Sequence, residues 1–284
     1  MTRPIGFNHV ECPHKTMIFH IKIPIFISIM LIVICCGQAK DLKNSNPSKA
    51  GFEEERLNRI DTMIQGCIDR KEVPGVVGIL IKDGKIGYHK AFGWADIESK
   101  KPLKRDTLFR IASMSKLITT VAALQLFEKA EYNMYTDLGS ILPEFKEQTV
   151  LESWDGEKQA FTTQTAKKKI QMNQLFTHTS GIVYPIFTYK GRAGYMKEKI
   201  IDAFPGENIS LEENIKRLAG VPLAHEPGEG QTYGMNMDVL GRVIEVLDGR
   251  PFAKYMREEI FTPLNMKDTG FAVPKNKWDR VSSV

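Results

Sequence analysis

The chain has 284 residues, of which 42% are hydrophobic and 26% charged, and a formal charge of +5 at neutral pH. This is the composition of an ordinary globular protein of one large or two small domains. Its positive charge is spread out, and the one tight basic run, Lys167-Lys168-Lys169, has no aromatic residues between its cations, so nucleic acid is not an expected partner.

At the N-terminus, an almost purely apolar run from Ile23 to Cys36 is shorter than the ~20 residues a spanning helix needs. It has the character of the apolar stretch of a secretory signal, which makes residues 1–36 an expected leader, with Met17 as a candidate start. Leu31-Ile32-Val33-Ile34-Cys35-Cys36-Gly37 resembles a bacterial lipobox with Cys36 as the acylated residue, although Cys35 stands where Gly, Ala or Ser is usual. The expected location is therefore the periplasm or cell envelope, with membrane contact through a lipid anchor. Residues 37–52 are polar and are expected to form a tether. Cys12, Cys35 and Cys36 belong to the leader, leaving Cys67 alone in the body, so no disulfide framework or cysteine metal site is expected. The six histidines are scattered, and neither a metal nor another cofactor is expected.

The body begins at residue 53. Leu57, Ile60, Met63, Ile64, Cys67 and Ile68 recur at helical spacing, predicting a helix from about Glu53 to Glu72 that ends at Val73-Pro74-Gly75. Val76–Ile81 and Ile86–Ala91 are β-rich and flank Lys82-Asp83-Gly84-Lys85, a strong hairpin signal. A turn-rich stretch then leads to Phe109-Arg110-Ile111-Ala112-Ser113-Met114-Ser115-Lys116. Leu117–Lys129 follows without Gly or Pro, and Leu117, Val121, Leu124 and Phe127 recur at helical spacing.

Ser113 is thus expected at a helix N-terminus, with Lys116 one turn on and on the same face. A serine hydroxyl needs a neighbour to take its proton, and a lysine can do this if its own proton is destabilised. The helix end adds N–H groups and a partial positive charge for a developing oxyanion. Against this, Ser-x-x-Lys is short enough to recur by chance, and a serine before a helix is most often a cap.

Downstream the pattern is helical and loopy, with no β alternation of comparable quality. Leu175–Ile182 is a helix end and a glycine turn, where His178 suits a ring that fixes the turn better than a base. Glu226-Pro227-Gly228 is a turn leading to Tyr233, then helices are predicted over Asn236–Leu247 and Phe252–Phe261. Tyr233 is either a core residue or a phenol that shares proton transfer with Lys116.

Together these blocks resemble, in order, the serine β-lactamase and penicillin-binding-protein-like hydrolases, in the branch of class C β-lactamases, D-alanyl-D-alanine carboxypeptidases and related carboxylesterases. The matching blocks are Gly93-Trp94-Ala95-Asp96, Phe109–Lys116, Thr177-His178-Thr179-Ser180-Gly181, Glu226-Pro227-Gly228 through Tyr233, Asp238-Val239-Leu240-Gly241 through Gly249, and Pro263–Thr269. The resemblance covers residues 53–284. It implies an α+β fold, an antiparallel sheet flanked by helices plus a mostly helical region. Ser113 would be the acylated nucleophile, Lys116 its base partner and Tyr233 the second base.

Two departures qualify it. Penicillin-recognising members carry Tyr-x-Asn, whereas Met235 stands at that place here and the nearest asparagine, Asn236, is left as the candidate substrate-binding side chain. The family's Lys-Thr-Gly-like motif, which supplies a second oxyanion donor from a late strand, is not found before Val284, so the domain is expected to be C-terminally incomplete. The implied substrate is a small-molecule ester, a β-lactam or a peptidoglycan-type peptide. The alternative is a degenerate or truncated envelope lipoprotein of the same fold that binds without turnover.

Overall fold

A computed structural model describes residues 42–155, 157, 160–184, 198–202 and 208–283, and the description below is confined to these. The leader, the Met17 start and Cys36 lie outside them.

Part of the polar stretch expected as a tether is docked. Strand β1 (Lys43–Asn44) pairs in parallel with a later strand, and Ala50 is buried. Helix α1 (Glu54–Asp69) places Glu54 and Glu55 in its first turn, where acidic side chains suit the helix dipole, and buries Leu57 and Ile64. The hairpin forms where Asp83-Gly84 marks it. Strand β2 (Gly75–Lys82) pairs antiparallel with β3 (Lys85–Asp96), and Asp83 and Gly84 take φ of +48° and +71°, the left-handed pair that matches strand twist. The short β4 (Lys101–Pro102) also pairs with β3, giving the order β1-β3-β2 with β4 on β3.

Helix α2 (Ser115–Glu128) carries apolar residues on more than one face. One face carries Thr119, Ala122, Ala123 and Leu126 into the core. The stripe that marks its period in the sequence is the other face: Leu117 is 71% exposed, Val121 45%, Leu124 36% and Phe127 39%. Ile79 and Ile81 of β2 are also exposed.

A short helix α3 (Leu138–Ile141) leads to a second hairpin, β5 (Thr149–Asp155) with β6 (Ala160–Thr165), which the sequence pattern did not announce. Its residues include Glu152, Ser153, Thr162, Thr163 and Gln164, β6 is largely exposed and β5 buries only Val150, so no apolar alternation marks it. The helical region is completed by α4 (Met172–Phe176), α5 (Leu211–Ala219), α6 (Asn236–Asp248) and α7 (Phe252–Met256), the last continued by a single π turn at Arg257–Phe261.

The core is built on α6. Val239, Leu240, Val243 and Ile244 are fully buried against Ala122, Ala123 and Leu126 of α2, Ile215 and Leu218 of α5, and Tyr255 and Met256 of α7. Each fully buried aliphatic side chain is worth about 1.5–3 kcal/mol. This packing fixes α2 against α6, and with them the two segments that carry Ser113 and Tyr233. The architecture is α+β. Cys67 is half-buried beside Arg70.

Candidate active site

Ser113 sits in a tight 3-10 turn, Ala112–Met114, immediately before α2. Ala112 has φ of +41°, a left-handed conformation that costs a residue with a side chain about 1 kcal/mol or more and persists only where its surroundings hold it. The turn leaves Ser113 exposed at the positive end of α2. One turn along, Lys116 Nζ donates a hydrogen bond to Ser113 Oγ at 3.2 Å. From just before α6, the Tyr233 hydroxyl donates to the same oxygen at 2.8 Å. Lys116 Nζ also lies 4.7 Å from the centre of the Tyr233 ring. Ser113, Lys116 and Tyr233 therefore converge on one oxygen atom.

Tyr233 is held from behind. Gly234 approaches the backbone so closely that a Cβ there would lie 2.0 Å from the Ile182 carbonyl oxygen. Its N–H donates to His178 Nδ1 at 3.3 Å, and Asn236 Nδ2 donates to the same nitrogen at 2.9 Å. Asn236 Oδ1 in turn accepts from Ser180 Oγ, which accepts from the Ile182 N–H. The His178 ring packs 4.8 Å from the Tyr233 ring. Two donors on Nδ1 leave the proton of the neutral ring on Nε2. Burial, and then the Lys116 charge, hold His178 below the usual histidine range, which favours that neutral form. His178 thus fixes the turn that carries Tyr233.

Asn236 does not occupy the place expected of it. It is fully buried in this network, with both ends of its amide engaged, and cannot reach a substrate without breaking it. Met235, at the position of the family asparagine, is fully buried as well.

Two residues of the site were not singled out in the sequence. Tyr184 lies with its ring 5.6 Å from that of Tyr233 and 5.4 Å from Lys116 Nζ. Asp238, in the first turn of α6, is hydrogen-bonded to Tyr184. Burial pushes the Asp238 carboxyl up to about 6, with the Lys116 charge and the Tyr184 hydroxyl acting the other way. Tyr184 is raised, mainly by burial and then by the Asp238 charge. For Tyr233, burial acts upward, but hydrogen bonds to Lys116 and Ser113 and the Lys116 charge outweigh it and leave the phenol below its ordinary value. The sequence cue for Tyr184 is its nearness to His178 in the chain, and for Asp238 its place at the start of a matching block.

A serine hydroxyl at a helix N-terminus, met by a lysine and a tyrosine on one oxygen and set on an α+β scaffold, has the geometry of a serine acyl-transfer site. Residues 60–284 match the Beta-lactamase family, and the chain belongs to it. Esterase EstB of Burkholderia gladioli is 34% identical over 213 residues, 75% of this chain and 51% of that protein. Monacolin J acid methylbutanoyltransferase of Aspergillus terreus is 30% identical over 219 residues, 75% of this chain and 51% of that protein. Among solved structures, EstCE1, described as a hydrolase with promiscuous acyltransferase activity, superposes with a TM-score of 0.69 at 28% identity, covering 80% of this chain and 55% of that one. The chain spans about half the length of the curated relatives it matches.

Proposed function

We propose that this protein is a serine hydrolase that cleaves an ester through an acyl-Ser113 intermediate. The observation that carries the reading is the convergence of Lys116 Nζ and the Tyr233 hydroxyl on Ser113 Oγ. In the reactive form Tyr233 is ionised and Lys116 is its cationic neighbour. Ser113 Oγ adds to the ester carbonyl carbon as its proton passes to the Tyr233 oxygen. The oxyanion of the tetrahedral intermediate faces the N-terminus of α2. As it collapses, the bond to the leaving alcohol breaks and the alkoxide takes the proton from Tyr233. Water, or a second alcohol, then repeats the sequence on the acyl-enzyme.

An ester is favoured over a β-lactam or a D-alanyl peptide. The two candidates for an amide beside Tyr233 do not supply one: Met235 is apolar and buried, and Asn236 is committed to His178 and Ser180. The relatives named above as an esterase and an acyltransferase support the same direction. The test is burst kinetics with a p-nitrophenyl ester, in which one equivalent of nitrophenol per active chain is expected, and none from Ser113→Ala. An undiminished burst from that variant would contradict the assignment.

The same proposal includes a cover for the outer face of α2. Leu117, Val121, Leu124 and Phe127 form an apolar stripe of a kind that monomeric proteins rarely leave open. In the working enzyme we place further sheet against it, carrying the second oxyanion donor. Loss of one such donor costs about 10²–10³ in turnover. Without that cover, binding without turnover is the second reading. Export and acylation of Cys36 belong to this proposal as well, and metabolic incorporation of palmitate that is lost in Cys36→Ala would support them.

A further inference from the structure

The mechanism above makes no use of the Asp83-Gly84 end of the first hairpin, where lysines gather. Lys43 of β1 stands opposite Lys85 of β3, and Lys85 stands opposite Lys82 of β2. Residues directly opposite on neighbouring strands share a sheet face, so the three side chains form one cationic row. Two residues beyond Lys85, Gly87 leaves room for the segment that follows β1. A Cβ there would lie 2.4 Å from the Phe52 ring and 2.9 Å from Ala50 Cβ. The turn Ser48–Ala50 therefore seats beside the row. Lys85 Nζ donates to the Lys49 carbonyl at 3.2 Å and Lys82 Nζ to the Gly51 carbonyl at 3.4 Å, and Lys49 adds a fourth exposed cation. Among the described residues, none of these four lysines pairs with a carboxylate. The acids nearest along the described chain are Asp83, in the turn itself, and Glu53, which is bonded to Arg56. Like charges set opposite one another on a sheet cost stability, and an anionic partner would offset that cost.

We propose that this corner, formed by Lys43, Lys49, Lys82 and Lys85, is a membrane-facing surface that binds anionic phospholipid headgroups. Ammonium groups on flexible stems act as point charges, which suits phosphates in a fluid layer that offers no fixed ligand geometry. The course of the chain favours a membrane over nucleic acid as the anion. Leu42, apolar and exposed, immediately precedes Lys43, and the apolar run Ile23–Cys36 ends seven residues before it. Seven residues span at most about 25 Å, so an acylated Cys36 would keep the row within short reach of the bilayer. The inference is independent of Ser113, and it rests on the export reading only for which surface lies within reach.

The experiment is sedimentation of the full chain, made without acylation, with vesicles of phosphatidylcholine alone or with about a third phosphatidylglycerol. The readout is the ratio of the two partition coefficients, since an apolar run favours both kinds of vesicle alike. At low salt a ratio of about 10²-fold or more is expected, falling toward unity near ~0.5 M NaCl. Lys43→Gln with Lys82→Gln and Lys85→Gln should reduce the ratio about fivefold for each lysine. Lys43→Gln with Lys49→Gln leaves the Lys82 and Lys85 side chains on their carbonyls and should also cost about fivefold for each lysine, so the test survives a loosened turn in the triple variant. Lys129→Gln with Lys146→Gln and Lys275→Gln removes three charges from other elements and should leave the ratio within about twofold. An unchanged ratio in the two corner variants, with thermal unfolding showing folded protein, would overturn the proposal. So would an equal loss in the control variant, or a DNA duplex that displaces the chain from the anionic vesicles. Palmitate incorporated at Cys36 without any phosphatidylglycerol preference would uphold the anchor and overturn this surface. The preference without incorporation would uphold the surface and contradict the anchor.

Discussion

The Tyr233 hydroxyl meets Ser113 Oγ at 2.8 Å across 120 positions of chain, and Lys116 Nζ meets the same oxygen from one helical turn away at 3.2 Å. One of these contacts is local and follows from helix geometry. The other exists only because α2 and α6 pack through Ala122, Ala123, Leu126, Val239 and Val243. The site is therefore as strong as that packing. Removal of the phenol hydroxyl in Tyr233→Phe, or of the ammonium in Lys116→Ala, should each slow acylation by about 10²–10⁴-fold with the fold intact. Stopped-flow release of nitrophenol measures this, and a loss below fivefold in either variant would place the proton transfer elsewhere.

Asn236 should behave as a support of Tyr233. Asn236→Ala removes one of two hydrogen-bond partners from both Ser180 Oγ and His178 Nδ1 in a buried network, which should cost about 1–3 kcal/mol of stability. Acylation should fall through a displaced Tyr233, with the ester concentration dependence little changed. Chemical denaturation and the burst rate test both parts, and a variant of unaltered stability that loses only ester affinity would restore Asn236 to the cleft.

Gly234→Ala should be the most damaging small substitution near the site. Its Cβ would meet the Ile182 carbonyl oxygen at 2.0 Å, a contact that only backbone movement can relieve. A loss of at least about 2 kcal/mol, together with loss of the burst, is expected from denaturation and kinetics.

Asp238 links the site to stability. Its folded value of about 6 lies above the ordinary carboxylate value, so between pH 4 and 6 the native protein holds a proton that the unfolded chain has released. Native stability thus falls as pH rises through that window, and the full penalty stands above it. Asp238→Asn removes the penalty. Its melting temperature should equal that of the unsubstituted protein near pH 4 and exceed it above pH 6.5, by an amount on the order of 2 kcal/mol in stability. Calorimetry across this range checks the sign.

The outer stripe of α2 yields a test of the proposed cover. Leu117→Gln with Val121→Lys should improve the solubility of the 284-residue chain at little cost in melting temperature, because these side chains are exposed. In a longer protein with a covered α2 the same pair should destabilise by about 2 kcal/mol or more. Equal effects in both would contradict the proposed cover.

Much of this was legible in the sequence because local rules decided it. Asp83-Gly84 specified its own turn, the apolar spacing of Leu57, Ile60 and Ile64 gave α1, and Ser113 and Lys116 are one helical turn apart by construction. Tyr233 was reached through resemblance, since no local rule joins it to Ser113. The hairpin of β5 and β6 was missed because its strands carry no period-two alternation of apolar and polar residues. Asn236 was misplaced because its burial depends on Ser180 and His178, residues 56 and 58 positions away. Tyr184 was missed for the same reason, since its place beside Tyr233 and Lys116 comes from the fold, and Asp238 entered only as the first residue of a matching block.

The central claim is that Ser113 becomes acylated, and intact-mass and peptide measurements after exposure to a fluorophosphonate or an activated ester test it most directly. A single adduct on the peptide that contains Ser113, absent from Ser113→Ala and slowed in Tyr233→Phe, is the expected result. An adduct on another residue, or one that persists in Ser113→Ala, would contradict the account.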